Sequence, residues 1–261
     1  MGLAFERHGS GPPLVLLHGV GHRRQAWCAV LDRLTPHRDV VLVDLPGHGE
    51  SPPLRLAGRP VVEALLDEVL GLLDELALER PHIAGNSLGG RLALEAGVAG
   101  RAATVTALSP AGFWRSDSEA RYARAIFKIM ELAGARMQRL APALSRSTAG
   151  RALVYGAIVS RPSRMSPEQA RGDMAAFLAS RDALHVILAG MTRFTGRVPA
   201  DVRVTIGWGT RDRLLPPRQA LVAKASVPTA RLVPLPGCGH VPMTDNPDRV
   251  AGVLLRGSGG A

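Results

Sequence analysis

Gly85-Asn86-Ser87-Leu88-Gly89 is the one G-x-S-x-G match in this chain, and it lies where a predicted strand meets a predicted helix. Residues 81–84 before it form a short, half-apolar run, and residues 90–96 after it are typical of the start of a helix. Glycines on both sides of the serine permit a strained strand-to-helix turn that lifts a hydroxyl clear of the backbone. This stretch therefore predicts an α/β sheet protein in which the serine hydroxyl stands clear of the backbone as a candidate nucleophile.

Length and composition indicate one large domain with a substantial core. The chain has 261 residues, of which 46% are hydrophobic. Its most apolar helix candidate, residues 61–78, is interrupted by five acidic residues, so we expect an amphipathic helix rather than a membrane span. The N-terminal sequence does not resemble a signal peptide, and only Cys28 and Cys238 could form a disulfide. A cytoplasmic, disulfide-free protein is the prediction.

The formal net charge of +10 raises the question of a nucleic-acid partner. Nearly all of the cations are scattered arginines, and the 4% of aromatic residues do not alternate with basic runs. We therefore expect a small-molecule substrate as the partner, with no nucleic acid and no membrane, and the composition leaves the oligomeric state open. Metal-ligand spacings and a Gly-rich phosphate loop are absent from the sequence, so we expect no cofactor and no metal.

Short apolar runs alternate with helical patterns along most of the chain. This alternation is typical of a mostly parallel sheet with helices on both faces. The predicted strands cover residues 3–7, 13–17, 40–43, 82–84, 104–108, 203–206 and 231–234. The helices predicted between and after them cover residues 25–34, 62–76, 88–99, 217–225 and 247–255.

Between residues 111 and 196 the alternation stops and only helical patterns occur, at 118–140, 148–158, 166–179 and 181–191. A strand-free insertion after a sheet strand predicts a helical cap over the strand ends. The predicted division is a first core part at 1–111, a cap at 112–196, a second core part at 197–256 and a disordered tail at 257–261. Apolar stripes on the cap helices are expected to pack partly on the core and partly around a pocket. Those stripes contain Ala125, Ile129, Leu132 and Met137, and Leu184, Ile187, Leu188 and Met191.

Two later loops supply the partners that a nucleophilic serine needs. A serine hydroxyl becomes a good nucleophile only when an oriented base removes its proton. Asp212 follows the strand predicted at 203–206, and His240 follows the strand predicted at 231–234. Both loops come after the carboxyl ends of strands, where ligands meet an open α/β sheet. Residues 108–113, after the preceding strand, contain no Asp or Glu that could serve as the acid instead of Asp212, and a capping or salt-bridging Asp212 is the alternative interpretation.

This chain resembles the α/β-hydrolase superfamily, in the branch with an inserted helical cap, because five of its motifs follow one another in the order that is typical of that family. The motifs are His18-Gly19-Val20-Gly21 with Trp27, Asp44-Leu45-Pro46-Gly47-His48-Gly49, Gly85–Gly89, Trp208–Asp212, and His240-Val241-Pro242 with Asp245 and Pro247. The resemblance covers essentially the whole length and implies an α/β-hydrolase fold.

The same resemblance implies roles for individual residues. Ser87 is the implied nucleophile, His240 the general base and Asp212 the orienting acid. The backbone N–H groups of Val20 and Leu88 are the implied oxyanion hole.

The remaining motif residues are interpreted as structural. His18 and His48 are expected to make turn hydrogen bonds, and Asn86 is expected to support the backbone around the serine. Cys238 is interpreted as a small filler rather than a nucleophile.

The chain departs from the family pattern at two places. Only 17 residues precede His18, so the family's first strand is expected to be missing, which leaves the strand at 3–7 at an edge. His22-Arg23-Arg24 follows Gly21, where carbon–carbon bond hydrolases of the superfamily prefer a small, proline-containing loop.

Three functions remain open at the level of sequence. The favoured one is a cofactor-free serine hydrolase that forms an acyl-enzyme from a small, fairly apolar ester, thioester or lactone. A carbon–carbon bond hydrolase of a diketone-like substrate would use the same three residues. A ligand-binding module that retains the hydrolase pocket is the third, and the intact set of catalytic residue types argues against it.

Overall fold

The structure is a computed structural model that describes residues 2–259. Its strands are β1 (Phe5–Gly9), β2 (Pro13–Leu17), β3 (Asp39–Val43), β4 (His82–Asn86), β5 (Thr104–Leu108), β6 (Arg203–Gly209) and β7 (Arg231–Leu235). They form one seven-stranded sheet in the order β1-β3-β2-β4-β5-β6-β7. β1 is antiparallel to β3, and the other neighbours are parallel. The predicted mostly parallel sheet is confirmed, with the short β1 at its edge.

The helices of the described chain follow the predicted pattern closely. They are α1 (Cys28–Leu34), α2 (Val61–Glu75), α3 (Leu88–Val98), α4 (Asp117–Met137), α5 (Ala141–Arg146), α6 (Thr148–Tyr155), α7 (Pro167–Ala179), α8 (Arg181–Gly190), α9 (Gln219–Ser226), α10 (Pro242–Asp245) and α11 (Pro247–Gly257). Short 3-10 helices at Arg24–Trp27, Gln138–Leu140 and Pro162–Arg164 adjoin them. Within residues 2–259, no helix combines the length and the apolar character needed to cross a bilayer.

Successive residues of the central strands pack on opposite faces of the sheet, because side chains alternate along a strand. On β2, Val15 and Leu17 belong to a core cluster that includes residues of α2 and α3. Leu14 and Leu16 belong to a second cluster with residues of α1 and α11. Both faces are therefore covered by helices, and the four strands β2 to β5 are almost entirely buried and mostly apolar, as parallel strands usually are.

The segment between β5 and β6 contains α4 to α8 and no strand, as its sequence pattern predicts. The helix expected at 118–140 ends earlier, at Met137, and α5 follows it after one 3-10 turn. Pro142 lies in the first turn of α5, where a missing N–H costs nothing.

The predicted disordered tail at 257–261 is wrong for its first residues. Gly257 is the last residue of α11, and Ser258 is buried. Arg38 donates from Nε to Ser258 Oγ at 3.0 Å and from its NH2 group to the Ser258 carbonyl at 2.9 Å. These bonds hold the end of α11 against the core, a long-range contact that tail composition does not reveal. Gly260 and Ala261, also assigned to that tail, lie outside the described residues.

A buried arginine in the loop after β2 links the edge strand β1 to the turn after β3. Arg24 donates from Nε to Glu6 Oε1 at 2.6 Å, from NH2 to Glu50 Oε2 at 2.8 Å, and from NH1 to the Asp44 carboxylate. Asp44 also accepts from the backbone N–H of Arg24 at 2.6 Å and is fully buried. Arg24, which stands where the family pattern is broken, therefore neutralises a buried carboxylate and fixes the loop after β2.

Candidate active site

Ser87 lies in the sharp turn between β4 and α3. Its φ of 56° and ψ of −113° are uncommon for a residue with a side chain. Glycine is required on both sides because a Cβ on Gly85 would collide with the Gly89 carbonyl, and one on Gly89 would collide with the Leu17 carbonyl. The turn is held by the Ser87 N–H, which donates to the Leu108 carbonyl at 2.9 Å. The local sequence thus forces the backbone into a close-packed turn and leaves the serine at its apex.

Asp212 and His240 follow the carboxyl ends of neighbouring strands and are hydrogen-bonded to each other. The Nδ1 atom of His240 lies 2.8 Å from Oδ2 of Asp212. The second carboxylate oxygen, Oδ1, accepts from the backbone N–H groups of Leu214 at 3.0 Å and Leu215 at 2.8 Å. Both side chains are buried. Backbone donors therefore fix the carboxylate, and the carboxylate in turn orients the imidazole.

Ser87 and His240 line the same cavity, which has a volume of about 340 Å³. The Nε2 atom of His240 is buried and has no hydrogen-bond partner within residues 2–259. An imidazole bonded to a carboxylate through Nδ1, with Nε2 unoccupied, is able to accept a proton from a group in that cavity. The structure thus gathers all three residues from distant parts of the chain at one edge of the sheet.

Two side chains hold the histidine loop in place. Asn86 donates from Nδ2 to the His240 carbonyl at 2.9 Å and to the Leu108 carbonyl at 3.1 Å. Asp245, which is fully buried, accepts from the backbone N–H groups of Gly239 at 2.7 Å and Arg161 at 2.6 Å. Asn86 ties the histidine loop to β4, and Asp245 ties it to the connection between α6 and α7.

The two predicted oxyanion-hole residues lie next to the serine. Val20 lines the main cavity, and Val20, Ser87 and Leu88 together line a smaller adjoining cavity of about 40 Å³. A Cβ built on Gly19 would lie 3.2 Å from the Ser87 Cβ, so the loop after β2 passes very close to the serine. The geometry places both residues beside Ser87, and their role in binding an oxyanion stays a prediction.

His18 and His48 make the turn hydrogen bonds that the sequence predicts. His18 Nε2 accepts from the backbone N–H of Leu45 at 3.0 Å. His48 Nε2 accepts from the backbone N–H of Gly21, also at 3.0 Å. Each Nδ1 bonds a carbonyl, that of Gly19 at 2.8 Å for His18 and that of Pro46 at 3.0 Å for His48. Desolvation by burial lowers the pKa of His18 well below its ordinary value and that of His48 to about 4. Both rings are therefore neutral supports of the loop after β2.

Cys238 is buried two residues from His240. Burial raises the pKa of its thiol to about 11, so the thiolate needed for nucleophilic chemistry is disfavoured. The interpretation of this residue as a small filler agrees with that environment.

The helical segment between β5 and β6 supplies most of the apolar lining of the main cavity. Its contribution includes Phe127, Met130, Met137, Val154, Met174 and Phe177. Of the predicted stripes, Ile129 and Met137 line the cavity, whereas Leu184 and Ile187 of α8 are buried in the main core cluster. Helix α4 thus borders the cavity, while α8 anchors the segment on the core.

Comparison with known proteins identifies the family. Residues 14–253 match the model of the alpha/beta hydrolase family. The chain belongs to this family. The hydrolase is 31% identical over 261 residues to a pimeloyl-[acyl-carrier protein] methyl ester esterase from Xanthomonas axonopodis pv. citri, with 95% of each chain covered.

Other similar proteins differ in length and in name. One, 29% identical over 258 residues, is the dihydrolipoyllysine-residue acetyltransferase component of an acetoin cleaving system from Pseudomonas putida. That match covers 96% of the hydrolase and only 65% of the relative. Among solved structures, the enol-lactonase from Burkholderia xenovorans LB400 superposes with a TM-score of 0.71 at 21% identity, covering 97% and 95% of the two chains. A bacterial membrane phospholipase A superposes with a TM-score of 0.75 at 22% identity, covering 99% and 84%. These structures share the hydrolase's fold.

Sequence reasoning missed several contacts that shape the site of this hydrolase. It assigned Asn86 to backbone support without its bond to the His240 carbonyl, which joins residues 154 positions apart. It also gave no function to Arg24 or to Asp173 of α7, both buried charged residues. The only sequence signal for Asp173 was its acidic side chain in a helical pattern of mixed polar and apolar residues.

Proposed function

We propose that this hydrolase is a serine esterase in which Ser87 is the nucleophile, His240 the general base and Asp212 the carboxylate that orients the base. One observation carries the proposal. A buried imidazole, bonded to a buried carboxylate at 2.8 Å and with Nε2 unoccupied, lines the same cavity as a serine held in a strained turn.

In the proposed reaction, Ser87 Oγ attacks the ester carbonyl while His240 Nε2 takes its proton. Asp212 stays ionised and stabilises the resulting imidazolium. The backbone N–H groups of Val20 and Leu88 bind the negative charge on the carbonyl oxygen. His240 then gives the proton to the departing alcohol, which leaves an acyl-enzyme. Water, deprotonated by the same imidazole, hydrolyses the acyl-enzyme and releases the acid.

The character of the cavity supports a small, fairly apolar acyl group. Its lining from α4, α6 and α7 is dominated by aromatic, aliphatic and methionine side chains. In this proposal the segment between β5 and β6 is a cap that selects the substrate. Preference for an ester bond is supported by the relative that is named a methyl ester esterase and matches along almost its full length.

Labelling with a serine-reactive fluorophosphonate, combined with a substrate panel, tests the proposal. Wild-type protein and the control Ser118→Ala, at an exposed serine, should each take up one label, and Ser87→Ala should take up none. The panel contains p-nitrophenyl esters, a lactone, an acyl-thioester and a vinylogous diketone, and we expect turnover of the esters. Labelling of Ser87 with cleavage of the diketone alone would identify a carbon–carbon bond hydrolase. Failure of Ser87 to react would favour a ligand-binding module.

A further inference from the structure

The lining of the apolar cavity includes a polar region that does not involve Ser87 or His240. It is formed by His22, in the loop after β2, and by Asp173, on α7, which both line the cavity. Their side chains are only 14% and 8% exposed. The His22 Nε2 atom lies 3.8 Å from Asp173 Oδ2, which is beyond hydrogen-bond distance.

Two buried side-chain nitrogens in this region lack hydrogen-bond partners in the described part of the chain. The Nδ1 atom of His22 and the Nε atom of the adjacent Arg23 are buried, and neither has a hydrogen-bond partner within residues 2–259. Buried polar atoms in folded proteins almost always have a partner, so the unsatisfied atom of His22, which lines the cavity, indicates a place for a ligand group.

The carboxyl group of Asp173 is strongly desolvated. Burial raises its pKa, and the nearby His22, Arg23 and Gln169 side chains oppose that shift. If His22 and Asp173 served only to link the loop to α7, a direct hydrogen bond between them would be expected. The wider spacing and the shared border on the cavity favour a group placed against both.

We propose that His22 and Asp173 form a subsite that binds a hydroxyl group of the substrate. A hydroxyl is both a donor and an acceptor, so it can donate to the Asp173 carboxylate and accept from the His22 ring N–H. A substrate carboxylate would be repelled by Asp173, and an ammonium group has no lone pair with which to accept a hydrogen bond from the His22 ring N–H. Because the hydroxyl belongs to the ester substrate, this inference rests on the proposed esterase function.

A binding experiment tests the subsite without requiring turnover. The ligands are 2-octanone and the set of isomeric monohydroxy-2-octanones, titrated by calorimetry into Ser87→Ala protein. We expect at least one isomer to bind at least tenfold more tightly than 2-octanone. Adding Asp173→Leu or His22→Phe should remove that preference, and Asp173→Asn, which keeps an acceptor oxygen, should reduce it. Asp182→Asn, an exposed acid on the neighbouring helix, is the matched control and should leave it unchanged.

Either of two results would overturn the subsite: no isomer binding more tightly than 2-octanone, or a preference that survives both Asp173→Leu and His22→Phe. Melting curves identify any variant that fails to fold, in which case the isosteric Asp173→Asn supplies the comparison. Kinetics with p-nitrophenyl hexanoate and its 3- and 6-hydroxy derivatives separate this inference from the proposed function. Hydroxyl preference in binding without any ester turnover would contradict the esterase, whereas ester turnover without such a preference would contradict the subsite alone.

Discussion

Ser87 is held by the close-packed backbone of its own turn, whereas His240 is held by side chains from other parts of the chain. The strained φ of Ser87 persists because backbone packs on backbone at Gly85 and Gly89. His240 has its ring held by Asp212 and its carbonyl held by Asn86. At the scale of the residue, backbone packing fixes Ser87, and two separate buried hydrogen bonds fix His240.

Substitutions of the three proposed catalytic residues should abolish or sharply reduce turnover while the protein stays folded. We expect no measurable esterase activity from Ser87→Ala or His240→Ala. Asp212→Asn should lower kcat by on the order of 10⁴, the size of the effect known for the serine-protease triad, because an amide favours the wrong imidazole tautomer. Initial rates and melting curves, with Asp182→Asn as a control, provide the measurements. Wild-type activity in Asp212→Asn would show that the acid lies elsewhere.

At the scale of elements, the loop after β2 and the turn after β3 are joined by Arg24. Replacing it with methionine removes the cation that neutralises the fully buried Asp44. An uncompensated buried charge is strongly destabilising, so Arg24→Met should lower the free energy of unfolding by about 3–5 kcal/mol in urea titrations.

The matched control for this change is Arg33→Met. Arg33 pairs with Asp248 through side chains that are 41% and 78% exposed. Exposed pairs contribute about 1 kcal/mol or less. Equal losses in the two variants would contradict a stabilising function of the buried network.

The helical segment between β5 and β6 should govern acyl-chain preference. Met130→Ala and Met137→Ala enlarge the cavity along α4, so the optimum in a series of p-nitrophenyl esters should move to longer chains. Each methylene should change kcat/KM by an amount equivalent to about 1–3 kcal/mol. Leu132→Ala, on the same helix but exposed and outside the cavity lining, should keep the wild-type profile. If the profile never moves and only stability falls, the segment is a scaffold and specificity lies elsewhere.

For the whole molecule, buried neutral histidines should make folding sensitive to acid. His48 has a pKa of about 4 in the fold against an ordinary value of 6.5. As the pH falls, His48 is protonated in the unfolded chain before it is protonated in the fold. The stabilising contribution of neutral His48 is therefore complete above about pH 6.5 and is lost as the pH falls toward 4. This difference between the two pKa values of His48 corresponds to about 3 kcal/mol in the free energy of unfolding. The pKa of His18 is lowered for the same reason, so its contribution has the same sign.

Urea unfolding between pH 7 and pH 4.5 measures this dependence. His48→Asn should be less stable than wild type at pH 7 but should lose less stability on acidification. The exposed His37 supplies the control, because His37→Asn should follow the wild-type curve. An unchanged slope in His48→Asn would show that its ionisation does not contribute.

The sequence by itself determined the elements and most of the candidate site. Every predicted strand occurs, and β2 and β5 have the predicted bounds. β6 continues through Trp208 and Gly209, which were expected to lie in a loop. These predictions succeed because alternation, helical periodicity and the glycine-flanked serine are local patterns with local causes. The grouping of Ser87, Asp212 and His240 followed from their placement after parallel strands, whose carboxyl ends share one edge of the sheet.

Only the tertiary structure decided which distant groups meet. The pairing of Arg24 with Asp44, the bond from Asn86 to the His240 carbonyl, and the approach of His22 to Asp173 all join separate elements. It also decided that Ser258 is buried against Arg38, where composition predicted disorder. A polar side chain carries no sequence signal of its future partner. Its pairing is selected when the chain packs, because burial makes an unpartnered polar group costly and leaves only arrangements that satisfy most of them.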